Sequence, residues 1–253
     1  MPSEIRVIGL PGLPEVVTGD DLTALIADAV RRANLSITPG DVFVVTQKIV
    51  SKAEGRLVRL DEVTPSALAR RWGARYGKEP RLIEVVLSEA VRVIRMDRGV
   101  LIAETPHGFV CANAGVDASN VPEGMLALLP ADPDASARRL CAGLRQAFDA
   151  PVAIIISDTF GRPWRDGVVN VALGVAGLRP FIDYRGHTDS HGYRLQATLV
   201  AVADELASAA ELVMAKTAGV PVAVIKFSGG AGYQAGDGSG RELIRPLEQD
   251  LFR

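Results

Sequence analysis

The sequence predicts an α+β fold, in which strands and helices are mixed along one chain. Short apolar runs bounded by glycine and proline predict strands, and stretches with apolar residues at helical spacing predict helices between them. Several turns join strands directly, which favours α+β over a doubly wound α/β sheet. The 253 residues contain no repeat or dividing linker, so we assign residues 1–253 to a single domain.

The first half of the chain begins with a predicted strand, IRVIGL, followed by a helix from Leu22 with Thr18 or Asp20 as its N-cap. The segment DVFVVTQKIVSKAEGRLVRL predicts a buried strand, a polar turn carrying lysines, and a second strand. TPSALARRWGARYG predicts a helix. VRVIRMDRGVLIAETPHGFVCANAGVD predicts strands joined by turns, with TPHG at the tip of a hairpin.

The second half begins with DPDASARRLCAGLRQAF, an amphipathic helix with acids at its start and arginines later, as the helix dipole favours. PVAIIISD is the most strand-like segment of the chain. Apolar residues at helical spacing follow between residues 198 and 214, and VPVAVIKF predicts the last strand. The glycine-rich segment Ser228–Gly240 predicts a loop, either a plain flexible one or one that closes over substrate.

The composition excludes several functional classes. The formal net charge of -2 and the absence of a basic tract argue against a nucleic-acid surface. No apolar run approaches the roughly 18 residues of a membrane helix, and the start MPSEIRVIGLPG does not resemble a signal peptide. Cys111 and Cys141 lie far apart, which argues against a disulfide framework or a thiolate zinc site. These features predict a cytoplasmic protein.

The most informative stretch is DTFGRPWRDG, residues 158–167, at the end of the apolar run VAIIIS. Asp158 and Thr159 are predicted at the carboxyl end of a buried strand, and their oxygens suit a hard cation such as Mg²⁺ or Mn²⁺. The guanidinium groups of Arg162 and Arg165 match the geometry of phosphate or carboxylate. A surface turn with a salt bridge is the alternative interpretation.

Two further segments offer groups of matching chemistry. In CANAGVDASNVP, Asp117 is a second carboxylate for the same cation and Asn120 a ligand for phosphate or base; a simple Asx turn is the alternative. Lys48 and Lys52 are point charges for phosphates, unless they are solvated lysines on a turn. The sequence contains neither a Rossmann fingerprint nor a P-loop.

Together these groups predict a metal–nucleotide site. Two carboxylates from separate strand ends, two lysines and paired arginines, without an evident nucleophile, suit phosphoryl transfer, which depends on positioning and charge neutralisation. This inventory favours a ligase or kinase over a hydrolase that uses a nucleophile.

Several long segments resemble one enzyme family, the coenzyme F-420-0:L-glutamate ligases, over nearly the whole chain and in the expected order. The chain is most similar to the ligase half of the two-domain bacterial form, without the flavin-binding half that follows there. The segments that carry the resemblance are GLPE, VVTQKIVSKAEGR, ANAGVDASNV, LLPADPDASA, ISDTFGRPWRDG, GVAGL, DYRGHTDSHGYRL, VADELASAAELVM and LIRPLEQDLFR.

The resemblance implies a specific reaction. The family uses GTP and a divalent metal, Mg²⁺ or Mn²⁺, to join L-glutamate to the carboxylate of the deazaflavin coenzyme F-420-0. An acyl phosphate is the expected intermediate, GDP and phosphate are the expected by-products, and further glutamates can follow through γ-linkages. A monovalent cation is a further candidate cofactor. The fold implied is an α+β arrangement of two subdomains that forms an intertwined homodimer.

The resemblance also assigns roles to residues. Metal ligands are Asp117, Asp158 and Thr159, and Arg162 and Arg165 are assigned to an anionic substrate or to the transferring phosphate. The implied nucleotide contacts are Leu13, Pro14, Glu15, Val16, Gln47, Lys52, Asn120, Met214 and Lys216.

One position departs from the family pattern. Archaeal members usually read MGQ where this chain has MAK, Met214 to Lys216, and that glutamine helps to bind a second metal. A charged lysine cannot ligate a metal, so Lys216 either replaces one cation's charge or leaves the second metal to other ligands. The functional alternatives are another nucleotide-dependent carboxylate–amine ligase, a nucleotide phosphatase, or a non-catalytic subunit that binds GTP or deazaflavin.

Overall fold

The structure is a computed structural model that describes residues 3–228 and 232–250. Within these residues the strands are β1 Glu4–Gly9, β2 Val42–Thr46, β3 Leu57–Arg59, β4 Arg92–Asp97, β5 Val100–Glu104, β6 Val110–Ala112, β7 Met125–Ala127, β8 Ala153–Arg162, β9 Arg165–Ala176, β10 Ile182–Asp183, β11 Leu199–Val200 and β12 Val222–Ser228. The α-helices are α1 Leu22–Arg32, α2 Gln47–Ala53, α3 Ala67–Tyr76, α4 Pro80–Ser88, α5 Pro133–Phe148 and α6 Val202–Met214. The predicted α+β class is confirmed.

The largest sheet has five strands in the order β1-β12-β2-β8-β9. Only β2 and β8 run parallel, and the other neighbours are antiparallel. Side chains alternate between two buried faces, since Phe43 and Val45 join one hydrophobic cluster while Val42 and Val44 join the other. Strands buried on both faces lose the polar alternation of a surface strand, which is why VFVV and AIII read as continuous apolar runs.

Helices cover both faces of this sheet. Residues of α1 and α5 pack on one face and residues of α6 on the other. The close approach of α5 depends on Gly174 in β9, because a Cβ atom there would lie 2.3 Å from the carbonyl oxygen of Pro133. The predicted caps of α1 were wrong: Asp21 accepts from the N–H groups of Thr23 and Ala24, while the Asp20 carboxylate accepts from the Val17 N–H in the preceding turn.

The predicted polar turn after β2 is instead the helix α2. Seven residues are too few to show a helical stripe, and the buried side of α2 carries polar groups as well as Ile49 and Val50. The Ser51 hydroxyl donates to Gln47 Oε1 at 2.8 Å, so this buried polar pair is satisfied within the helix. As a result Lys48 and Lys52 project from a rigid element.

The part of the chain from β3 to β7 has a hydrophobic cluster of its own. Helices α3 and α4 and the three-stranded sheet β4-β5-β6 contribute to it. The TPHG turn joins β5 to β6, and the Gly108 N–H donates to the carbonyl oxygen of Thr105, so the predicted hairpin is confirmed. Helix α4, which the sequence analysis did not predict, starts at Pro80. The two-subdomain arrangement and the homodimer stay predictions.

Strand β8 does not end at Asp158, as predicted, but continues to Arg162 and pairs with β9 as a long hairpin. The ladder is interrupted by a register shift between Ile156 and Ser157. Such a bulge raises the local twist and redirects side chains, and here it comes just before Asp158.

The glycine-rich segment Ser228–Gly240 lies partly outside the described residues, at positions 229–231. Its last residues pack on the start of α5, where the buried Asp134 accepts from Ser239 Oγ and from the Gly240 N–H. In the part of the chain that the structure describes, no helix is long and apolar enough to cross a membrane.

Candidate active site

A cavity of about 360 Å³ lies at the carboxyl end of β2, where Thr46 pairs with Ser157 of the parallel strand β8. Ligand sites commonly form at such strand ends, and this volume falls within the usual range for small-molecule pockets. Apart from the two arginines, every residue predicted from the sequence lines this cavity: Leu13, Pro14, Glu15, Val16, Gln47, Lys52, Asn120, Met214, Lys216, Asp117, Asp158 and Thr159.

The two predicted metal carboxylates face the same cavity from separate segments. Burial raises the pKa of Asp158 to about 6, and the charge of Asp117 adds to that rise. Burial would also raise the pKa of Asp117, but hydrogen bonds from Lys48 and Ser119 outweigh it and hold that pKa below its ordinary value. Two carboxylates that repel each other across a cavity form a site of negative charge that a cation would stabilise.

Lys48 reaches the acidic group from the first turn of α2. Its Nζ donates to Asp117 Oδ2 at 2.6 Å, to the Ser119 carbonyl oxygen at 2.6 Å and to Ser119 Oγ at 2.7 Å. The Ser119 N–H donates to Asp117 Oδ1 at 2.7 Å, which completes the Asx turn considered from the sequence. The Asx turn and the candidate site are therefore compatible, because the Asp117 carboxylate that forms the turn also lines the cavity.

A second lysine of α2 also lines the cavity. Lys52 is 5% exposed, and its ammonium group pairs with the carboxylate of Glu15 in the segment GLPE. The Glu15 side chain is mostly exposed, so an incoming anion can compete with it for the lysine. This arrangement places a positive charge beside backbone groups of residues 13–16.

A chain of polar side chains supports Thr159. The Thr159 hydroxyl donates to Asn170 Oδ1 at 2.8 Å, and Asn170 Nδ2 donates to Glu211 Oε2 at 2.9 Å. Lys216 Nζ also contacts Thr159 Oγ1, and its charge helps to lower the pKa of Asp158 against the effect of burial. Thr159 Oγ1 therefore lies between the Asn170 amide and the Lys216 ammonium group.

The donor set fits a hard divalent cation. The described residues contain no group of three or more His, Cys, Asp or Glu that could hold a metal alone. However, Mg²⁺ commonly binds through one or two carboxylates and completes its shell with water and substrate phosphates. Asp117, Asp158 and Thr159 provide oxygen ligands of that kind. The hydroxyl oxygen of Ser157, which also lines the cavity, is buried and has no protein partner.

The two predicted catalytic arginines lie outside this cavity, at the tip of the β8–β9 hairpin. Arg162 and Arg165 are opposed across the turn, and the Arg162 guanidinium donates to the Asp166 carbonyl oxygen. Arg162 Nε is buried and has no hydrogen-bond partner among the residues that the structure describes. At about 3.3 Å per strand residue, Arg162 lies roughly 10 Å beyond Thr159 along β8. Their catalytic role stays a prediction.

The structure adds residues that the sequence analysis did not assign to the site. Asn170 and Glu211 line the cavity, and so does Lys48, whose role was left open. Asn170 is 2% exposed in the middle of an apolar strand, RDGVVNVALGVA, and an isolated polar residue at such a position was the available signal. Glu211 offered no comparable signal among the other acids of α6.

Comparison with known proteins identifies the group to which this arrangement belongs. A family model described as F420-0:Gamma-glutamyl ligase matches residues 12–226. The chain is 46% identical to Coenzyme F420:L-glutamate ligase of Methanothermobacter thermautotrophicus, over 98% of this chain and 99% of that protein. It is 43% identical to the protein of the same name from Methanopyrus kandleri, over 98% of both chains. For the protein of that name from Methanocaldococcus jannaschii the identity is 40%, over 99% and 97%. The chain belongs to the F420-0:gamma-glutamyl ligase family of enzymes.

Proposed function

We propose that the chain is a GTP- and divalent-metal-dependent ligase that joins L-glutamate to coenzyme F-420-0 and releases GDP and phosphate. Its membership of the family supplies the reaction class. The observation that carries the finer proposal is one cavity, which collects two aspartates, three lysines and residues 13–16 from five separate parts of the chain. Among the described residues that line it there is no histidine or cysteine to act as base or nucleophile.

The cavity has groups for each part of a nucleotide. Lys48, Lys52 and Lys216 offset phosphate charge, and the polar side chains of Gln47 and Asn120 offer donors and acceptors to a base or ribose. Ser51 donates to Gln47 Oε1, which leaves the Gln47 amino group free to donate to an acceptor on the ligand. Asn120 adopts a positive φ of 53°, which holds its side chain at the turn after Ser119.

The reaction needs positioning more than covalent chemistry. An oxygen of the coenzyme carboxylate attacks the γ-phosphorus of GTP, the bond from that phosphorus to the β–γ bridging oxygen breaks, and GDP leaves. The glutamate nitrogen, after losing a proton, attacks the acyl carbon of the acyl phosphate, and inorganic phosphate leaves as the amide forms. The lysines stabilise negative charge that moves between the phosphoryl oxygens during the first step.

Asp117, Asp158 and Thr159 would hold the divalent cation. When bound, Mg²⁺ or Mn²⁺ supplies Lewis-acid charge that neutralises the nucleotide phosphates. To Arg162 and Arg165, on the hairpin tip beyond Thr159, we assign the binding of an anionic substrate that extends out of the cavity. In this proposal the cavity binds the nucleotide, and the tip of the β8–β9 hairpin binds part of coenzyme F-420-0.

The test is an incubation of the pure protein with GTP, L-glutamate, coenzyme F-420-0 and either Mn²⁺ or Mg²⁺, followed by mass spectrometry of the deazaflavin. We expect a product heavier by one or more glutamyl units, which Asp158→Asn does not form. GDP release without that product would indicate another acceptor carboxylate. GDP release that does not depend on any acceptor would indicate a phosphatase, and no release would indicate a binding subunit.

A further inference from the structure

The two hydrogen bonds that link Thr159, Asn170 and Glu211 have a fixed donor-to-acceptor direction. Glu211, as a carboxylate, has oxygens that only accept hydrogen bonds, so the amide group of Asn170 that faces it must be the NH₂ group. The carbonyl oxygen of Asn170 then necessarily faces Thr159. Without Glu211 the amide could rotate by half a turn, because its two ends have nearly the same shape.

The orientation of Asn170 decides what Thr159 can do. A carbonyl oxygen accepts only, so the single hydroxyl hydrogen of Thr159 is used in the 2.8 Å bond to Asn170 Oδ1. The lone pairs of Thr159 Oγ1 therefore point toward the cavity. The contact from Lys216 agrees with this direction, because an ammonium group can only donate and needs a lone pair to receive its proton.

We infer that Glu211 is a positioning residue that acts through Asn170 to make Thr159 a pure electron-pair donor, and thereby a cation ligand. This inference rests on the metal site of the proposed function. The three residues are suited to a fixed relay: Asn170 is 2% exposed, it is the cross-strand partner of Thr159, and the Ser208 hydroxyl donates to its main-chain carbonyl oxygen at 2.7 Å. Outer residues that orient metal ligands typically change metal affinity by about 10- to 100-fold.

A simpler explanation for any effect of Glu211 is its negative charge, which would attract a cation without any relay. Two substitutions separate the explanations. Glu211→Gln removes the charge but keeps an oxygen that can accept from Asn170, whereas Glu211→Met removes both the charge and the acceptor in a side chain of similar length. A charge effect makes the two variants equal, and the relay makes them different.

The experiment is a calorimetric titration of each folded protein with Mn²⁺ alone. We expect Glu211→Met to weaken Mn²⁺ binding by about tenfold and Glu211→Gln to stay within about threefold of the original protein. Equal losses in the two variants would overturn the inference in favour of charge, and unchanged binding in both would overturn it altogether. Glu205→Met, an exposed position on the same helix and outside the cavity, is the matched control.

A double variant tests the relay without removing any hydrogen bond. In Asn170→Asp with Glu211→Gln, the aspartate accepts from Thr159 on one oxygen and from the new amide on the other, and the net charge is unchanged. We expect Mn²⁺ affinity within about threefold of the original protein, and a loss as large as that of Thr159→Val would contradict the inference. This measurement also decides the matter if Glu211→Met does not fold.

The readout separates this inference from the proposed function. If the original protein binds Mn²⁺ but transfers no glutamate, the proposed reaction fails while the variant series still tests the relay. If glutamate transfer is found and Glu211→Met binds Mn²⁺ like the original protein, the relay fails alone. Should the original protein bind no Mn²⁺, both are overturned.

Discussion

Lys48 Nζ lies 2.6 Å from Asp117 Oδ2, so a lysine of the protein neutralises one of the two aspartates that line the cavity. Removing this lysine would leave Asp117 and Asp158 to repel each other. We expect Lys48→Met to lower the melting temperature in EDTA and to gain more stability from Mn²⁺ than the original protein does. Thermal melts with and without Mn²⁺ measure both effects. The exposed Lys78→Met is the control, and an unchanged melt for Lys48→Met in EDTA would contradict the prediction.

Asp158 should cost stability in the absence of metal. Its folded pKa, about 6, lies above the unfolded value, so its ionisation weakens the fold above pH 6 and the cost disappears below about pH 4. We expect Asp158→Asn to raise the free energy of unfolding in EDTA by on the order of 2 kcal/mol at pH 7.5. The gain should shrink at pH 4.5. Urea unfolding at both pH values measures it, and a variant less stable than the original at pH 7.5 would sink the idea.

Lys216 contacts the same threonine oxygen that we assign to the cation. A fixed ammonium group at that position competes with a metal ion, because both need the lone pairs of Thr159. We expect Lys216→Gln to tighten Mn²⁺ binding by roughly tenfold, since a neutral amide oxygen can itself ligate the ion. Turnover should fall as a phosphate contact is lost. Calorimetry and steady-state kinetics provide the two measurements, and weaker Mn²⁺ binding would show that Lys216 supports the metal rather than competing with it.

Arg165 is exposed at the hairpin tip and outside the cavity. If it binds the acceptor, its loss should act on one substrate alone. We expect Arg165→Ala to lower kcat/KM for coenzyme F-420-0 at least about tenfold while the KM for GTP changes by less than about twofold. Arg98→Ala, at another exposed turn, is the control. A matching rise in both Michaelis constants would place the arginine with the nucleotide instead.

Gly174 sets the distance between α5 and the central sheet, because a Cβ atom at this position would lie 2.3 Å from the Pro133 carbonyl oxygen. We expect Gly174→Ala to lower the free energy of unfolding by about 3 kcal/mol, since backbone must move to relieve the contact. Gly161→Ala on the same hairpin is a matched control, because its Cβ would meet nothing within 4 Å. Equal free energies of unfolding of the two variants in urea would show that α5 can shift away from the sheet at little energetic cost.

Strands β2 and β8 of the central sheet could be predicted because their apolar segments are buried on both faces. VFVV and AIII have no polar alternation and no helical stripe, so only a buried strand explains them. Helix α2 could not be predicted by the same reasoning. Its buried side carries Gln47, Ser51 and Lys52, which pair or face the cavity, so the apolar pattern that marks a helix is absent.

The site was predictable where residues of suitable chemistry lie close in sequence, as Asp158 and Thr159 do. The hydrogen bonds among Thr159, Asn170 and Glu211 were not, because their members come together only through the β8–β9 register and the packing of α6. The bulge before Asp158 is a similar case, since nothing in ISDTF shows where a ladder skips a residue.

The position of β12 in the central sheet has a consequence for synthesis of the chain. Residues 222–228 lie between β1 and β2, and within the described residues β1 pairs with no other strand, so β1 has no strand partner until β12 has been made. A chain still emerging from the ribosome therefore exposes the apolar edge of β2 and an unpaired β1 for most of its translation. The cavity, bounded by residues 13–16 and 214–221, closes at that same late moment. Assembly of the central sheet and completion of the cavity should consequently be a single event, which waits until residues 214–228 have been made.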